Sequence, residues 1–516
     1  MASGLAGAVN TESRGAIALK CDRRKLVRAA VLVAVALAGL ALLHYFPLEG
    51  QTASTQPLLI VGDVDNVVTL RGVDEGDFPI SAIDRDDRRL RAIALSDILE
   101  AAGPKTDDYR VFFVGDDGRT AAISGEHLED NLVVLGQEYG WEAINPRHPI
   151  SSNIKNLAEV VVVAEDPPPV VSVNVFREGH TLGHYTPGEL MTSGYSVRSR
   201  PVGTSSKIDG ELSLEAEIFQ SERIVDLQRL TEGLDFEAAL LVGERGEMVP
   251  VSARHQLVLG DADLSYRPGR GERPWVVRGV VLDPPRRRNT DIYHDAVRYL
   301  DDGVDTMIVL VDGFGWHQYR HLAERDALPY LGSAARPVPA LAAYPSITPV
   351  NFAAAITGAA PQESGVVARD TRTPQVETIF QWSRERGLKE GLVMGPIAPI
   401  DSGTDPVFCH DSNSDGSDDD EVFQNAMEMT GAGYDLLMVH FKGVDSAGHS
   451  HGALARETLD TALEIDAYIE ELAESWDGRV LVFADHGMKT VGMGGEHGLC
   501  LYEDMFVPHW DINTES

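Results

Sequence analysis

The C-terminal part of the chain repeats one pattern that restricts its fold more than any other: a short apolar run that ends at an acidic residue or a histidine. Residues 306–311 read Thr-Met-Ile-Val-Leu-Val and stop at Asp312, and residues 479–484 stop at Asp485. Short apolar runs separated by helical stretches are typical of a buried parallel sheet. We therefore expect an α/β fold with a doubly wound, mostly parallel sheet. In such sheets ligands and metals collect beyond the carboxyl ends of the strands.

Side chains of the kinds that bind metals stand beyond three of these runs. They are Asp312, Asp445, His449, Asp485, His486 and, in a glycine-rich stretch further on, His497. Taken singly, a histidine is more often a hydrogen-bonded structural residue, and a strand-end aspartate is more often a helix cap. Polar ligands after separate strands rarely need one another for structure, however, and zinc prefers imidazole nitrogen mixed with carboxylate oxygen. The set predicts a two-metal site and therefore a metal-dependent hydrolase.

A candidate nucleophile lies in the stretch Tyr-Pro-Ser-Ile-Thr-Pro-Val-Asn, residues 344–351. Proline favours the first helical position, so Thr348 is predicted to be the N-cap of a helix over residues 350–356. A hydroxyl there faces the helix dipole and free backbone N–H groups, a common setting for a phosphate, and a nearby divalent cation would ease loss of its proton. Ser346 is a second hydroxyl in the same stretch, and spacing alone does not choose between them.

Several motifs together resemble the alkaline phosphatase superfamily, closest to its nucleotide pyrophosphatase/phosphodiesterase branch. The resemblance covers residues 291–510. The motifs occur in the family's order as Asp312-Gly-Phe-Gly, Tyr344-Pro-Ser-Ile-Thr348, Thr357-Gly with Pro361-Gln-Glu-Ser-Gly365, Asp445-Ser-Ala-Gly-His449, Asp485-His-Gly-Met488 and Glu496-His-Gly498.

This resemblance implies a hydrolase of phosphate esters with two divalent cations, zinc being the expected metal. One cation would be held by Asp312, Thr348, Asp485 and His486, and the other by Asp445, His449 and His497. Thr348 would form a covalent phosphoryl or nucleotidyl intermediate that water then releases. Sulfatases of the superfamily need a modified Cys or Ser followed by Pro and Arg, which this chain lacks at Thr348.

The substrate side departs from the phosphodiesterase branch, in which an Asn downstream of the nucleophile contacts a phosphate oxygen. Without gaps that position falls on Arg369, and Asn351 is the other candidate. An Arg offers a bidentate clamp that suits the more highly charged phosphate monoester. Preference for monoesters or diesters therefore stays open.

An acidic loop between the motifs matches the first half of a calcium-binding loop. Asp411, Asn413, Asp415 and Gly416 have the required spacing, but position twelve is Val422. A solvated acidic loop is the favoured alternative to a calcium site.

The N-terminal end has the pattern of a membrane anchor. A basic stretch precedes the apolar residues 29–46, which are about long enough to cross a bilayer. Positive charges on the N-terminal side predict a cytoplasmic tail (1–25), a single transmembrane helix (26–46) and a bulk that lies outside the cytoplasm at the cell membrane. A cleaved signal peptide is the alternative.

Composition excludes one class of partner, because a formal net charge of −36 lacks the basic footprint that nucleic-acid binding needs. The chain has three Cys, which give no disulfide framework. With Cys21 on the cytoplasmic side, only Cys409 and Cys500 could pair, and their spacing does not decide whether they do.

Residues 55–285 contain no catalytic motif but do contain a repeat. Residues 111–124 parallel residues 239–252, each a strand, a Gly-containing turn and a strand, and each copy closes on an apolar strand before a Pro stop. We expect two β-rich modules, module 1 (55–168) and module 2 (169–285), before a phosphohydrolase domain (286–516); coincidental hairpins are the alternative. Module 1 also resembles the molybdopterin-binding fold of sulfite oxidase-type enzymes, but its metal-ligand Cys is missing, so a molybdenum centre is not expected.

Two hypotheses from different classes follow. The first is an anchored, extracytoplasmic phosphohydrolase. The second is an adhesion or sensing ectodomain whose hydrolase domain is inactive. Metal content separates the two, because only an enzyme of this kind needs its cations.

Overall fold

The computed structural model describes residues 56–73, 78–85, 88–209, 212–269 and 272–515. Pro57–Ser516 forms one compact unit. The predicted cytoplasmic tail and transmembrane helix lie outside the described residues. Within the described ranges, no helix is both long enough and apolar enough to cross a membrane.

Module 1 consists of two sheets and one helix, Leu95–Ala102. Its strands are β1 (Leu58–Gly62), β2 (Val68–Leu70), β3 (Ile80–Arg85), β4 (Arg88–Ala94), β5 (Tyr109–Gly115), β6 (Thr120–Ser124), β7 (Leu132–Gly136), β8 (Gly140–Ile144) and β9 (Leu157–Ala164). The sheet orders are β2-β1-β9-β5-β6 and β3-β4-β7-β8. A 3₁₀ turn, Ile150–Ser152, precedes β9.

Module 2 forms a nine-stranded sheet, with helices Pro187–Ser193 and Leu227–Leu230 and a 3₁₀ turn at Pro169–Val171. Its strands are β10 (Val173–Arg177), β11 (His180–Tyr185), β12 (Ser196–Asp209), β13 (Leu212–Asp226), β14 (Ala239–Gly243), β15 (Met248–Val251), β16 (Gln256–Leu259), β17 (Leu264–Tyr266) and β18 (Trp275–Leu282). The path runs β11-β10-β18-β17-β16-β13-β12, and β14 pairs with both β15 and β18.

The two modules share one strand arrangement. In each, the last strand (β9 or β18) lies parallel to the first (β1 or β10) and antiparallel to the first strand of the hairpin (β5 or β14). The register is also equivalent, because Val111 faces Val162 where Ala239 faces Leu282. Both hairpins carry an irregularity just before the turn, at Gly115 and Gly243. The boundaries of the modules as separate domains stay a prediction.

The C-terminal region is built on an eight-stranded sheet. Its strands are β19 (Arg287–Arg288), β20 (Thr306–Val311), β21 (Val338–Leu341), β22 (Glu390–Met394), β23 (Val407–Phe408), β24 (Leu436–Phe441), β25 (Arg479–Phe483) and β28 (Phe506–Asn513), while β26 (Lys489–Val491) and β27 (Gly494–Glu496) form a separate hairpin. The sheet order is β19-β21-β28-β25-β20-β24-β22-β23. Only β28 runs antiparallel to its neighbours. The predicted mostly parallel sheet is confirmed.

Helices cover both faces of this sheet, which makes it doubly wound. They are Asp291–Asp301, Trp316–Ala323, Thr348–Thr357, Pro361–Ser364, Ile379–Glu385, Asp419–Thr430, Gly443–His451, Arg456–Glu474 and Tyr502–Met505. Alternate residues of β20 enter two cores, since Met307 and Val309 pack with the helix Arg456–Glu474 while Ile308 and Leu310 pack with the helix Thr348–Thr357. With both faces of β20 buried, its polar ligands can emerge only at the strand end.

Candidate metal centre

The predicted ligands come together where three adjacent strands end. Strand β20 lies between β24 and β25; Asp312 directly follows β20, and Asp485 follows β25 after Ala484. Asp445 and His449 lie four residues apart on the helix Gly443–His451, which begins after β24. The carboxyl ends of parallel strands lie at the same edge of the sheet, so three segments that are distant in sequence come together at that edge.

Asp312, Asp485 and His486 form one candidate ligand group, in which one ligand atom from each residue lies within 4.8 Å of the others. His486 Nε2 is 3.4 Å from Asp312 Oδ1 and 3.3 Å from Asp485 Oδ2. All three side chains are essentially buried. The other oxygen of Asp485, Oδ1, accepts hydrogen bonds from the backbone N–H groups of Gly313 (3.1 Å) and His486 (2.9 Å), which orients the carboxylate.

Asp445, His449 and His497 form the second group. Asp445 Oδ1 lies 3.3 Å from His449 Nε2 and 3.6 Å from His497 Nε2. The two groups are adjacent, since the rings of His486 and His497 stack with centroids 3.8 Å apart. Gly313 permits the close approach of the segments that follow β20 and β24, because its φ is 76° and a Cβ there would lie 2.8 Å from Asp445 Cα.

The histidines of both groups are oriented in the same way. The Nδ1–H groups of His449, His486 and His497 donate to the carbonyls of Gly495 (2.8 Å), Gly487 (3.0 Å) and Ser346 (3.0 Å). This bonding leaves each Nε2 with its lone pair directed into the cluster, the arrangement common for imidazoles that bind metals.

The electrostatics of the cluster favour neutral imidazoles at His486 and His497, whereas the contact with Asp445 raises the pKa of His449. Burial lowers the pKa of His486 to about 4 and that of His497 to about 3. Burial raises the pKa of Asp485 to about 7, and burial with the charges of Asp485 and Asp445 raises the pKa of Asp312 well above its usual value. Burial also acts to raise the pKa of Asp445, but the contact with His449 and the surrounding imidazole charges outweigh it and bring the value to about 2.

These residues fit a pair of divalent cations. Asp445 Oδ1 and Asp485 Oδ2 are buried and receive no hydrogen bond from the described residues, although each is the atom that faces its neighbouring imidazoles. A buried carboxylate oxygen without a donor is costly, and a cation would satisfy it. Neutral imidazole nitrogen with carboxylate oxygen is a donor set that suits zinc.

Thr348, rather than Ser346, faces the cluster. Thr348 Oγ1 lies 3.2 Å from His486 Nε2 and 3.4 Å from Asp312 Oδ1. Ser346 is fully buried, and its hydroxyl donates to the carbonyl of Leu499 (2.8 Å). The predicted N-cap was one residue off: Ile347 has extended backbone angles and is the cap, so Thr348 is the first helical residue.

Asn351 does not have the substrate contact that the sequence suggested as an alternative. It is completely buried, and its amide exchanges hydrogen bonds with the backbone of Ala343 at 2.6 and 3.0 Å. Its Oδ1 also accepts from Asn289 Nδ2 (3.0 Å). With its polar atoms in use, Asn351 braces the stretch that leads to the nucleophile.

Arg369 lies within electrostatic reach of the cluster. It is exposed, and its positive charge adds to the lowering of the pKa of His486 and opposes the rise that Asp445 causes in the pKa of His449. No carboxylate of the described residues forms an ion pair with its guanidinium. An exposed guanidinium near the candidate ligand groups is available to an anionic ligand.

His440 and Asn289 are two site residues that the strand-end reasoning missed. His440 Nε2 lies 2.9 Å from Asp312 Oδ2, deep in the core, and burial lowers the pKa of His440 to about 3. Asn289 Nδ2 also donates to the carbonyl of Asp485 (2.8 Å). The sequence did offer one signal for His440: it is a histidine within the otherwise apolar run that forms β24.

The acidic loop is held by hydrogen bonds among its own residues, and a calcium site there stays a prediction. The carboxylate of Asp411 accepts from the backbone N–H groups of Ser414 (2.6 Å) and Gly416 (3.1 Å), and Asn413 Nδ2 donates to Asp415 (3.1 Å). The two candidate ligand groups found among the described residues both lie elsewhere. Cys409 and Cys500 are buried and unpaired.

Comparison with known proteins supports the family resemblance in part of the chain. Residues 398–504, which contain five of the predicted ligands, match the family model described as Type I phosphodiesterase / nucleotide pyrophosphatase. This match confirms the resemblance for the C-terminal region and supports the predicted enzyme class, a phosphoric ester hydrolase. The likeness of module 1 to a sulfite oxidase-type fold receives no support.

Curated relatives match over short segments. The catalytic subunit of GPI ethanolamine phosphate transferase 3 from Mus musculus is 38% identical over 72 residues, which is 14% of this chain and 6% of that protein. GPI ethanolamine phosphate transferase 2 from Eremothecium gossypii is 34% identical over 86 residues, 15% of this chain and 11% of that protein. The chain thus matches only a small fraction of the length of these relatives.

Solved structures match at lower sequence identity and over a larger part of the chain. Phosphonoacetate hydrolase from Sinorhizobium meliloti 1021 is 19% identical, with a TM-score of 0.30, and the match covers 36% of this chain and 57% of that one. Murine ectonucleotide pyrophosphatase / phosphodiesterase 5 is 16% identical, with a TM-score of 0.30, and the match covers 36% and 58%.

Proposed function

We propose that this protein is a metal-dependent hydrolase of phosphate esters that acts through a covalent phospho-threonine at Thr348. The observation that carries the proposal is the position of the Thr348 hydroxyl, 3.2 Å from His486 Nε2 and 3.4 Å from Asp312 Oδ1. A hydroxyl beside two groups of buried ligands is placed to act as an activated nucleophile.

Two divalent cations, zinc by preference, would be held by the two groups. Asp312, Asp485 and His486 with Thr348 would bind one, and Asp445, His449 and His497 the other. When bound, the cations would supply Lewis-acid stabilisation of phosphate charge and lower the pKa of a coordinated hydroxyl or water.

The chain's own residues account for the rest of the reaction. Thr348 Oγ1 gives up its proton and attacks phosphorus, and the ester oxygen leaves with its electron pair and takes up a proton as the free alcohol. Water then attacks the phospho-threonine, releases phosphate or its monoester, and regenerates the Thr348 hydroxyl. The helix Thr348–Thr357 begins at the nucleophile, so its first backbone N–H groups are available to the transferring phosphate.

Arg369 would favour substrates with a dianionic phosphate. Its guanidinium is exposed and forms no ion pair with the described residues. It is close enough for its charge to affect the pKa values of His449 and His486. A monoester dianion gains more from a fixed cation than a diester monoanion does. We propose monoesterase activity in addition to the diesterase activity that the family description names.

Phosphoryl transfer to an alcohol is the second candidate function. The matched relatives are named as ethanolamine phosphate transferases. The same phospho-threonine could be discharged by an alcohol instead of water. Adding ethanolamine or glycerol to an ester turnover assay separates the two reactions, since a transferase forms the new phosphate ester while a hydrolase releases only inorganic phosphate or the product monoester.

Membrane attachment is part of the proposal. The apolar residues 29–46 after a basic stretch support a single anchor with residues from about 51 onward outside the cytoplasm. A reporter fused after Gln51 should be exported and remain in the membrane fraction. A soluble product that begins near residue 45 would instead show a cleaved signal peptide.

The main experiment measures bound metal and turnover on the same full-length preparation. We expect near two equivalents of zinc or a similar cation, and turnover of generic phosphate mono- and diesters that a chelator removes. Thr348→Ala should abolish turnover in a folded protein, while the matched variant Ser346→Ala should keep most of it. Absence of bound metal and of turnover would favour the inactive adhesion or sensing protein. Full activity of Thr348→Ala would exclude Thr348 as the nucleophile.

A further inference from the structure

We infer that module 2 is a positioning element of the catalytic centre, and that its key contact is the hairpin turn at Gly246. The turn joins β14 to β15, and it meets the stretch that carries the nucleophile. The expected effect on turnover rests on the proposed function. The expected effect on metal binding does not, because the same turn also positions a metal-ligand candidate, His497.

The turn approaches the nucleophile stretch with backbone alone. Gly246 has a φ of 86°, and its N–H donates to the carbonyl of Gly243 at 3.0 Å, which closes the turn. A Cβ on Gly246 would lie 2.4 Å from the carbonyl oxygen of Tyr344 and 2.8 Å from Pro361 Cγ. No side chain fits this gap unless Tyr344 or Pro361 moves.

The contacted residue leads directly to the site. Tyr344 packs against an apolar cluster that includes Leu240 and Val242 of β14. Two residues on, the carbonyl of Ser346 accepts the hydrogen bond from His497 Nδ1, and two residues further is Thr348. A shift of Tyr344 would therefore reach both the nucleophile and one metal-ligand candidate.

Module 2 also contacts the segments that carry the other ligands. Gly279 in β18 is so close to Cys500, three residues after His497, that a Cβ would lie 2.2 Å from its Sγ. Trp316, four residues after Asp312, donates from Nε1 to Glu178 Oε1 at 3.0 Å. Three separate ligand-bearing segments thus rest on one module.

The repeat supplies a matched control within the same chain. Gly118 occupies the corresponding turn position in module 1, between β5 and β6, and has a φ of 80°. A Cβ on Gly118 would meet no atom within 4 Å. Alanine at either position carries the same backbone strain, but only at Gly246 does it push on the nucleophile stretch.

The test compares Gly246→Ala with Gly118→Ala in the full-length chain. Both should lower the midpoint of thermal unfolding through backbone strain, Gly246→Ala by more because its Cβ also meets the Tyr344 carbonyl. Only Gly246→Ala should weaken the affinity for zinc, measured by chelator competition, by about tenfold. It should also lower kcat on an ester that the parent turns over, by up to about a hundredfold, with a smaller change in KM, because misplacing a nucleophile affects the reaction more than binding.

The outcomes separate the inference from the proposed function. Equal zinc affinity in the two variants would overturn the inference, whatever the turnover. A parent that binds zinc but hydrolyses no ester would overturn the proposed function, while the contrast in zinc affinity would still decide the inference. If Gly246→Ala does not fold, Glu178→Ala should weaken zinc binding about threefold through the Trp316 contact, and an unchanged affinity there would overturn the inference as well.

Discussion

Replacing His440 with Phe should weaken the binding of one cation and leave the other nearly unchanged. His440 lies in β24, and its Nε2–H donates to Asp312 Oδ2 at 2.9 Å. Both side chains are buried, and the imidazole ring lies beside Phe352, with centroids 5.8 Å apart. Phenylalanine keeps the ring volume and this contact but removes the only side-chain donor that the described residues direct at Asp312 Oδ2.

The size of the effect follows from that single hydrogen bond. A hydrogen bond to a charged group contributes about 1.5–3 kcal/mol, and its loss leaves the carboxylate free to rotate away from the cation. At about 1.4 kcal/mol per factor of ten, the affinity should fall about 10- to 100-fold. Losses of this size are usual when the partner that orients a metal ligand is removed.

Zinc titration against a chelator measures both cation affinities in one preparation. The group of Asp445, His449 and His497 is the internal control, because it has no hydrogen bond to His440. His440→Gln, which retains a donor, should restore part of the affinity. Two unchanged affinities in His440→Phe would refute the positioning role, and an equal loss at both sites would point to general disruption of the fold.

Two further predictions concern the substrate and the pH dependence of stability. Arg369→Asn should lower monoesterase kcat/KM about tenfold or more and diesterase kcat/KM less. The control Arg372→Asn should change neither value, because the guanidinium of Arg372 donates to the carbonyl of Ala398. Equal losses on both substrates would show that Arg369 does not discriminate by charge. Burial lowers the pKa of His509 from 6.5 to about 3, so below pH 6.5 the unfolded chain takes up a proton that the folded chain does not, and stability falls as the pH falls. Urea unfolding at pH 6.5 and 5.5 should therefore show a loss about 1 kcal/mol larger in the parent than in His509→Gln, and parallel curves would contradict the assignment.

Strand-end reasoning could predict which candidate ligands lie together because it needs only the order of elements. An apolar run that stops at Asp312 or Asp485 has the same meaning in any parallel sheet, since all such strands end at one edge. The same reasoning could not find His440. The role of His440 depends on which strand lies next to β20. The pairing and register of β20 and β24 cannot be predicted from either apolar run alone.

The choice between Ser346 and Thr348 was also beyond the sequence. Both hydroxyls precede the same helix, and they differ only in what surrounds them. Ser346 is turned toward the carbonyl of Leu499, and Thr348 toward Asp312 and His486. Asn351 was misassigned for a related reason: an amide suited to phosphate is equally suited to bracing a backbone, and only its burial shows which it does.

The two modules show how a repeat can be predictable while its use is not. The hairpin pattern in the sequence predicts the antiparallel strand pair and the positive-φ glycine at each turn, because both are local requirements of the chain. Whether a turn meets a partner depends on the surface opposite it, and that surface belongs to another part of the chain. Gly118 faces open space and Gly246 faces Tyr344, although the two turns are nearly equivalent in backbone. The turn at Gly246 can therefore influence the candidate catalytic residues, and its position is restricted by Tyr344. The turn at Gly118 has the same backbone conformation without that restriction.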